Sequence, residues 1–352
     1  MIYMKEYIFG SNMTIKFYIL SKYRTALMGF AILYVFLFHT VTDWAPNWIY
    51  KITCNGDSGV DIFIFLSALG LSYSMDKNPN IWDFYKRRLF RIFPTYWISI
   101  SIIYLIVVLL IKILHAPDNY MPYPHSLWEA FTAYTTLGYW LPCEAGLWYD
   151  WYVPALVAMY LFFPFLFIAL KRNKCVALLF IVPTIISQIF HIHMEWWYSC
   201  MWHRLGIFIL GAASYYLMNK SISGWKACVV LIVGSICPFI YAFTEFLNTG
   251  NGVIDKLLFS IALLCSMLVI CQILTFKVMG GVNKILLFMG GISLEFYLVH
   301  QQLNRMMITV SSHVMALPHS VLLLFTFIAS LIMAVIIKKS VAWCKKQLVI
   351  MN

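Results

Sequence analysis

The sequence predicts an all-α, polytopic membrane protein with about ten transmembrane helices and both termini in the cytoplasm. Three observations lead to this fold class. Hydrophobic residues make up 62% of the 352 residues and charged residues only 11%, whereas about 25% of the residues of a soluble domain are charged. The apolar residues form runs of about 20, the length at which a helix crosses a bilayer core of about 30 Å. The Lys and Arg residues cluster in alternate segments between these runs, as expected from the positive-inside rule.

Ten apolar runs define the predicted spans. They cover approximately residues 26–42, 59–75, 92–114, 148–170, 175–191, 202–218, 226–246, 256–276, 285–309 and 319–338. With a cytoplasmic N-terminus, 20 of the 25 Lys and Arg residues fall on the inner side, which favours an even number of spans. The segment 115–147 is polar and aromatic, and we expect an interfacial or re-entrant helix around Ser126–Trp140. Residues 1–352 are therefore interpreted as one transmembrane domain.

The composition also argues against some classes of function. The net charge of +11 does not indicate nucleic-acid binding, because the cations lie in short loops rather than on one exposed face. The nine cysteines show no metal-binding spacing, and a disulfide among Cys54, Cys143 and Cys200 stays open. His191 and His193 have an H-x-H spacing without a third ligand nearby, so we expect no metal site there.

Ionisable side chains inside the predicted spans are the first candidates for function, because each costs about 2.5–3.5 kcal/mol or more at the bilayer centre. These candidates are His39, Asp61, Arg204, Glu295 and His300. The helical rise places His39 and His300 at similar depth in the outer half of the membrane, near the level at which Asp61 and Arg204 enter from outside. Structural roles are open alternatives: an interfacial His39, an Asp61 that binds free N–H groups at a helix start, or a Glu295 paired with an arginine.

The stretch "FYKRRLFRIFPTYW" (84–97) has two interpretations. Its cations, Lys86, Arg87, Arg88 and Arg91, adjoin a long apolar run, so they suit a cytoplasmic topology anchor. Arg88 and Arg91, or Arg87 and Arg91, also share one helical face, and arginine binds phosphate through two parallel hydrogen bonds. We favour a phosphate-binding role combined with the anchor, since an anchor alone needs charge but no particular spacing.

Five stretches, in order along the chain, carry a family resemblance. They are "MGFAILYVFLFH" (28–39), "GVDIFIFLSALGLSYS" (59–74), "FYKRRLFRIFPTYW" (84–97), "LWYDWYVPALVAMYLFFPFL" (147–166) and "GGISLEFYLVHQQL" (290–303). Together they resemble the acyltransferase-3 family of integral membrane acyltransferases, which modify bacterial envelope polysaccharides and related acceptors. Two positions depart from the family pattern. The family's arginine eleven residues before the first-span histidine is Met28 here, with Arg24 as the nearest upstream cation, and the family's "LSG" reads Leu66-Ser67-Ala68.

The resemblance implies a cytoplasmic acyl donor, typically acetyl-CoA, and an acceptor hydroxyl on an extracytoplasmic glycan. We expect the donor phosphates at a cationic inner site, with His39 as a general base or, alternatively, as the carrier of an acyl intermediate. The cofactor-binding candidates are Arg87, Arg88, Arg91 and Arg24. The catalytic candidates are His39, Asp61, Glu295 and His300, and the substrate-binding candidates are Trp148, Arg204 and Tyr297. Asp61 or Glu295 would orient the imidazole, while His300, Tyr297 or Arg204 would stabilise the oxyanion or hold the acceptor.

Two other functions stay open at this point. Ten spans with buried charges also suit a transporter or flippase for a glycan or a lipid-linked precursor, although such a protein is expected to contain inverted repeats, and the two halves show no convincing pair. The loss of the family arginine at Met28 leaves room for an inactive sensor or assembly partner. For the enzyme, we expect a multi-pass protein of the bacterial plasma membrane whose partners are the bilayer, an acyl-CoA and a glycan, without metal or nucleic acid.

Overall fold

The computed structural model describes residues 13–42, 44–114, 123–141, 151–180, 182, 196–243, 252–313 and 316–350. Within these ranges the chain is almost entirely helical, which confirms the all-α class. The α-helices are α1 (Tyr18–Lys22), α2 (Arg24–Thr40), α3 (Asn47–Thr53), α4 (Ser58–Lys77), α5 (Ile81–Leu114), α6 (Leu127–Tyr134), α7 (Tyr152–Arg172), α8 (Trp196–Ser214), α9 (Trp225–Phe243), α10 (Gly252–Leu274), α11 (Gly280–Gly291), α12 (Ser293–His313) and α13 (His319–Ile350). Short 3₁₀ helices cover Leu137–Tyr139, Lys174–Phe180, Tyr215–Leu217 and Lys277–Met279.

A small antiparallel sheet adds to the predicted helices. Strand β1 (Thr14–Lys16) pairs with β2 (Ser221–Ser223), and Ile15 lies opposite Ile222. Gly224 follows β2 with φ of 61°, a left-handed conformation that glycine adopts without steric cost. The sheet therefore fixes the segment before α2 to the loop between α8 and α9.

The helices of the described residues are long and apolar enough for a multi-pass membrane protein. Five of them meet length and hydropathy criteria for a span: Asn47–Lys77, Ile81–Ile113, Tyr152–Arg172, Trp225–Ala242 and His319–Gln347. A sixth is added if the bent pair Leu258–Leu274 and Lys277–Gly291 counts as one span. The count of ten spans and the cytoplasmic position of both termini stay predictions, and most of the predicted fifth span, 175–191, lies outside the described residues.

The predicted ninth span, 285–309, consists of two helices. Helix α11 ends at Gly291 and α12 begins at Ser293. The break follows two glycines, which have low helix propensity, and side chains bind the freed carbonyls. Ser293 Oγ donates to the Gly290 carbonyl over 3.0 Å and Lys338 Nζ to the Gly291 carbonyl over 2.8 Å. A carboxyl helix end and an amino helix end therefore lie side by side.

Glycines let α2 and α11 approach each other closely. A Cβ atom at Gly29 would overlap the Leu286 carbonyl, and one at Gly290 would overlap the Thr25 carbonyl. Small residues permit this kind of backbone contact between membrane helices. Helices α4 and α8 make a similar close contact, because Gly211 of α8 lies against the Phe65 backbone of α4.

A helix forms in the predicted interfacial segment. Ser126 accepts a hydrogen bond from the Glu129 amide and caps α6, and two α5 side chains donate to the end of α6. Tyr96 Oη donates to the Ala133 carbonyl over 3.1 Å and Trp97 Nε1 to the Tyr134 carbonyl over 2.8 Å. The segment is thereby attached to the side of α5.

Two predictions from the composition concern residues that are described only in part. Cys54 is a free thiol, whereas Cys143 and the side chain of Cys200 lie outside the description. A disulfide between those two cysteines therefore stays a prediction. His191 and His193 also lie outside the described residues.

Candidate active site

A cavity of about 370 Å³ lies among α2, α4, α5, α7, α12 and α13. Its wall contains Arg24, Met28, Phe63, Ser67, Arg91, Ile92, Thr95, Tyr152, Leu156, Tyr160, Gly290, Gly291, Ser293, Leu294, Glu295, Tyr297, Lys338, Val341, Ala342 and Lys345. Four sequence-predicted site residues, Arg24, Arg91, Glu295 and Tyr297, therefore share one cavity. Trp148, the remaining aromatic candidate, lies outside the described residues.

One part of the cavity wall is strongly cationic. Arg24, Arg91, Lys338 and Lys345 line it, and Glu295 is the one carboxylate among the described lining residues. Glu295 lies within electrostatic range of Lys338, Arg91 and Lys345. The excess of positive charge favours an anionic occupant, because like charges that face one space repel until an anion compensates them.

Arg24 lies one helical turn below Met28, and both side chains line the cavity. Arg24 Nε donates to the Leu66 carbonyl over 3.1 Å. Gly70 makes room for the guanidinium, since a Cβ there would come within 3.1 Å of Arg24 Nη2. The cation missing at Met28 is thus present in the same cavity, displaced by one turn.

The three arginines of the "KRRLFR" stretch occupy different environments. Arg91 lines the cavity. The Arg88 guanidinium lies 5.7 Å from the Phe84 ring centroid, and its Nε is buried without a hydrogen-bond partner among the described residues. Arg87 is exposed and makes only a long contact of 3.5 Å with the Asn78 carbonyl. The geometry therefore favours Arg91 for ligand binding, since Arg87 and Arg88 are not among the described residues that line the cavity.

Aromatic side chains form another part of the wall. The rings of Tyr152 and Tyr297 lie 4.8 Å apart, and Phe63 packs 6.3 Å from Tyr152. Ser67 Oγ and Tyr160 Oη form a hydrogen bond across the cavity wall. The tyrosine pair, Tyr152 and Tyr297, connects the cavity wall to the histidines described next, because the Tyr297 ring also lies 5.7 Å from the His300 ring.

His39 and His300 lie beside each other, next to the tyrosine pair. Their ring centroids lie 5.2 Å apart, and the His300 ring lies 5.7 Å from that of Tyr297. Asn304 Nδ2 donates to the His39 carbonyl over 3.0 Å and joins α12 to the end of α2. His39 and His300, which the helical rise places at similar depth, therefore lie side by side.

Asp61 and Arg204 form a buried ion pair. Arg204 Nε lies 3.1 Å from Asp61 Oδ1, and Arg204 Nη2 lies 3.4 Å from Asp57 Oδ2. The Arg204 guanidinium also lies 4.6 Å from the Trp151 ring centroid, in cation–π geometry. Glu295 is therefore not the partner of Arg204, which pairs with Asp61 and Asp57. Glu295 instead faces the cations of the cavity.

Several cavity residues were not singled out from the sequence. In the sequence, Lys338 and Lys345 are only two of the positive charges assigned to the inner side, although their seven-residue spacing puts them on one face of α13. Tyr152 and Tyr160 were part of a motif but had no assigned role. Their side chains gain significance only once α7 and α13 are placed beside α12, which no local pattern specifies.

The comparisons with known proteins fit this geometry. A family model described as an acyltransferase domain matches residues 25–339. The chain belongs to the acyltransferase-3 family. A presumed acetyltransferase, ORF330 of Acidianus two-tailed virus, is 22% identical over 297 residues, which cover 80% of this chain and 82% of that relative. No solved structure matches the chain. The protein is therefore a membrane-embedded acyltransferase.

Proposed function

We propose that this acyltransferase moves an acetyl group from cytoplasmic acetyl-CoA to a hydroxyl of an extracytoplasmic envelope or exopolysaccharide sugar. We place it in a bacterial plasma membrane, with about ten spans and both termini inside. The observation that carries the proposal is the cationic cavity. Its lining cation Arg24 belongs to α2, the helix that also contains His39. That arrangement provides an anion site and a candidate base in one continuous stretch of the protein.

The cations of the cavity suit the phosphates of coenzyme A. Arg24 and Arg91 can each offer a planar, permanently charged fork to a phosphate, and Lys345 and Lys338 add point charges. The phosphates then stay near one membrane surface, where burying their charge costs least.

The distance along α2 matches a role for the less polar arm of the donor. Arg24 and His39 are fifteen residues apart in one uninterrupted helix, which corresponds to about 22 Å at 1.5 Å per residue. This separation is of the same order as the length of an extended pantetheine arm. Tyr297 lines the cavity and packs on His300, so we place the path of the thioester along this side chain.

His39 is the proposed general base. Its neutral imidazole takes the proton of the acceptor hydroxyl while the hydroxyl oxygen attacks the thioester carbonyl carbon. The carbon–sulfur bond then breaks, the coenzyme A thiolate leaves, and it receives the proton from the His39 imidazolium. The products are an acetyl ester and free coenzyme A, and His39 returns to its neutral form.

The Arg204 cluster is the proposed acceptor-binding region. The cluster of Arg204, Asp57 and Trp151 combines charged groups with an aromatic face. The Trp151 ring lies 6.1 Å from the ring of Tyr152, a member of the tyrosine pair. A sugar held there would have its hydroxyls between polar groups and an aromatic surface. Asp61 keeps Arg204 in place through their ion pair.

Proteoliposomes test the proposal directly. Labelled acetyl-CoA is enclosed inside, candidate envelope glycans are added outside, and acetyl ester formation is measured for wild type and for His39→Ala. We expect transfer by wild type and a loss of at least about 100-fold in His39→Ala, the usual range for a lost general base. His319→Ala is the control, because His319 is exposed and stacks on Trp44 outside this site.

Two results would contradict the proposal. Full activity of His39→Ala would remove the catalytic role of this histidine. Glycan movement across the bilayer without any ester formation would show transport instead of transfer.

A further inference from the structure

The hydrogen bonds of His300 determine which of its ring nitrogens carries the hydrogen. Nδ1 lies 2.8 Å from the Tyr297 carbonyl oxygen and 3.1 Å from the Phe296 carbonyl oxygen. Carbonyl oxygens only accept hydrogen bonds, so Nδ1 must donate and must be protonated. In the neutral ring Nε2 then carries the lone pair and can only accept.

This acceptor has no hydrogen-bond partner among the residues that the structure describes. His300 is 1% exposed, and Nε2 makes no hydrogen bond to any described residue. A buried polar atom without a partner costs about 1–3 kcal/mol, so such atoms in a protein interior call for a functional explanation. The unpartnered Nε2 can therefore accept a hydrogen bond from a donor that reaches it during the reaction.

The neighbouring rings narrow the choice of donor. Phe36 and Phe296 pack on His300 with centroids at 6.3 Å and 5.8 Å and carry no polar hydrogen. Tyr297 lines the cavity and packs on Tyr152. His39 is the nearest of these rings, at 5.2 Å between centroids, and it carries a ring N–H that can donate to Nε2.

We propose that His300 Nε2 accepts the ring N–H of His39 during catalysis and so acts as a positioning residue for the base. This inference rests on the proposed function, in which His39 is the base. The hydrogen bond fixes the His39 tautomer, because the nitrogen facing His300 holds the hydrogen and the other nitrogen keeps its lone pair for the acceptor hydroxyl. The assignment differs from an oxyanion-stabilising role, since neutral His300 has no free N–H to donate.

The same contact stabilises His39 after the proton transfer. Imidazolium donates from both nitrogens, and its hydrogen bond to Nε2 becomes charge-assisted, which roughly doubles the strength of a neutral bond. His300 thus acts on His39 as the carboxylate acts on the histidine of a serine-protease triad, but without bringing a negative charge into the membrane. A neutral partner avoids the desolvation cost of a buried carboxylate.

Two amide substitutions separate this role from simple packing. In His300→Gln the amide oxygen reaches the place of Nε2 and keeps an acceptor there. In His300→Asn the amide nitrogen replaces Nδ1 and keeps the bonds to the backbone carbonyls, but the acceptor towards His39 is gone. We expect kcat of His300→Gln to stay within about tenfold of wild type and kcat of His300→Asn to fall about 100-fold, with KM for acetyl-CoA unchanged in both.

Equal kcat values for the two variants would overturn the inference, and so would a more active His300→Asn, because a packing role needs the backbone bonds rather than the acceptor. Coenzyme A binding shows that each variant is folded; if Asn fails this check, His300→Leu, which fills the site without an acceptor, replaces it. Adding His300→Asn to His39→Ala should cause no further loss, and an extra tenfold loss would show action independent of His39. Failure of the proposed function looks different, because wild type itself would then transfer no acetyl group.

Discussion

The cationic cavity makes a quantitative prediction for Arg91. Arg91→Gln removes one of the four lining cations but keeps a polar side chain. A hydrogen bond to a charged group contributes about 1.5–3 kcal/mol, and about 1.4 kcal/mol corresponds to a tenfold change in Kd. Arg91 is exposed, so solvent screens its charge and the lower figure applies. We therefore expect the Kd for coenzyme A to rise about tenfold.

Calorimetry on the detergent-purified protein measures this change. Coenzyme A is compared with pantetheine, which lacks the phosphates and should bind equally to wild type and to Arg91→Gln. Raising the salt from 0.1 to 1 M shortens the Debye length from about 10 to about 3 Å and should reduce the difference between the variants. Lys86→Gln is the control, since Lys86 is exposed on the same helix and is not part of the cavity wall. An unchanged Kd for Arg91→Gln would refute the anion site, as would equal weakening by the control.

The remaining predictions concern packing and the buried ion pair. Gly290→Ala should lower the thermal unfolding temperature and destabilise the fold by about 1–3 kcal/mol or more, whereas Gly280→Ala, where a Cβ meets no atom within 4 Å, should leave unfolding unchanged; equal effects would argue against the close helix contact. Arg204→Gln should cost about 3–5 kcal/mol because it leaves the buried Asp61 carboxylate uncompensated. Adding Asp61→Asn to it should restore part of that loss in the same unfolding assay, and a simple sum of both losses would contradict the pairing.

The sequence is sufficient for the fold class and for part of the site. Hydropathy identifies the helices because a bilayer tolerates little backbone that is not hydrogen-bonded within its own segment. Depth along the helices brings His39 and His300 to one level, and the structure places their rings 5.2 Å apart. The spacing of Arg88 and Arg91 predicts a shared ligand-binding face, whereas among the described residues only Arg91 of this pair lines the cavity.

Other features depend on contacts between distant segments. The break at Ile292 lies in a continuous apolar run, and it is stabilised by Lys338 from another helix. The pairing of Asp61 with Arg204 rather than Glu295 with Arg204 follows from how α4 packs on α8. Hydropathy carries no information on such pairings, because lipid tails and neighbouring helices are equally apolar surroundings.

The glycine contact between α2 and α11 has a consequence for donor selection. Arg24 and His39 belong to one uninterrupted helix, and its backbone packs closely on that of Leu286 at Gly29. Under the proposed function, the distance from the phosphate-binding cations to His39 is therefore constant. Thioesters whose arm is shorter or longer than that of coenzyme A would place their carbonyl carbon too far from His39 and would react slowly even when they bind well.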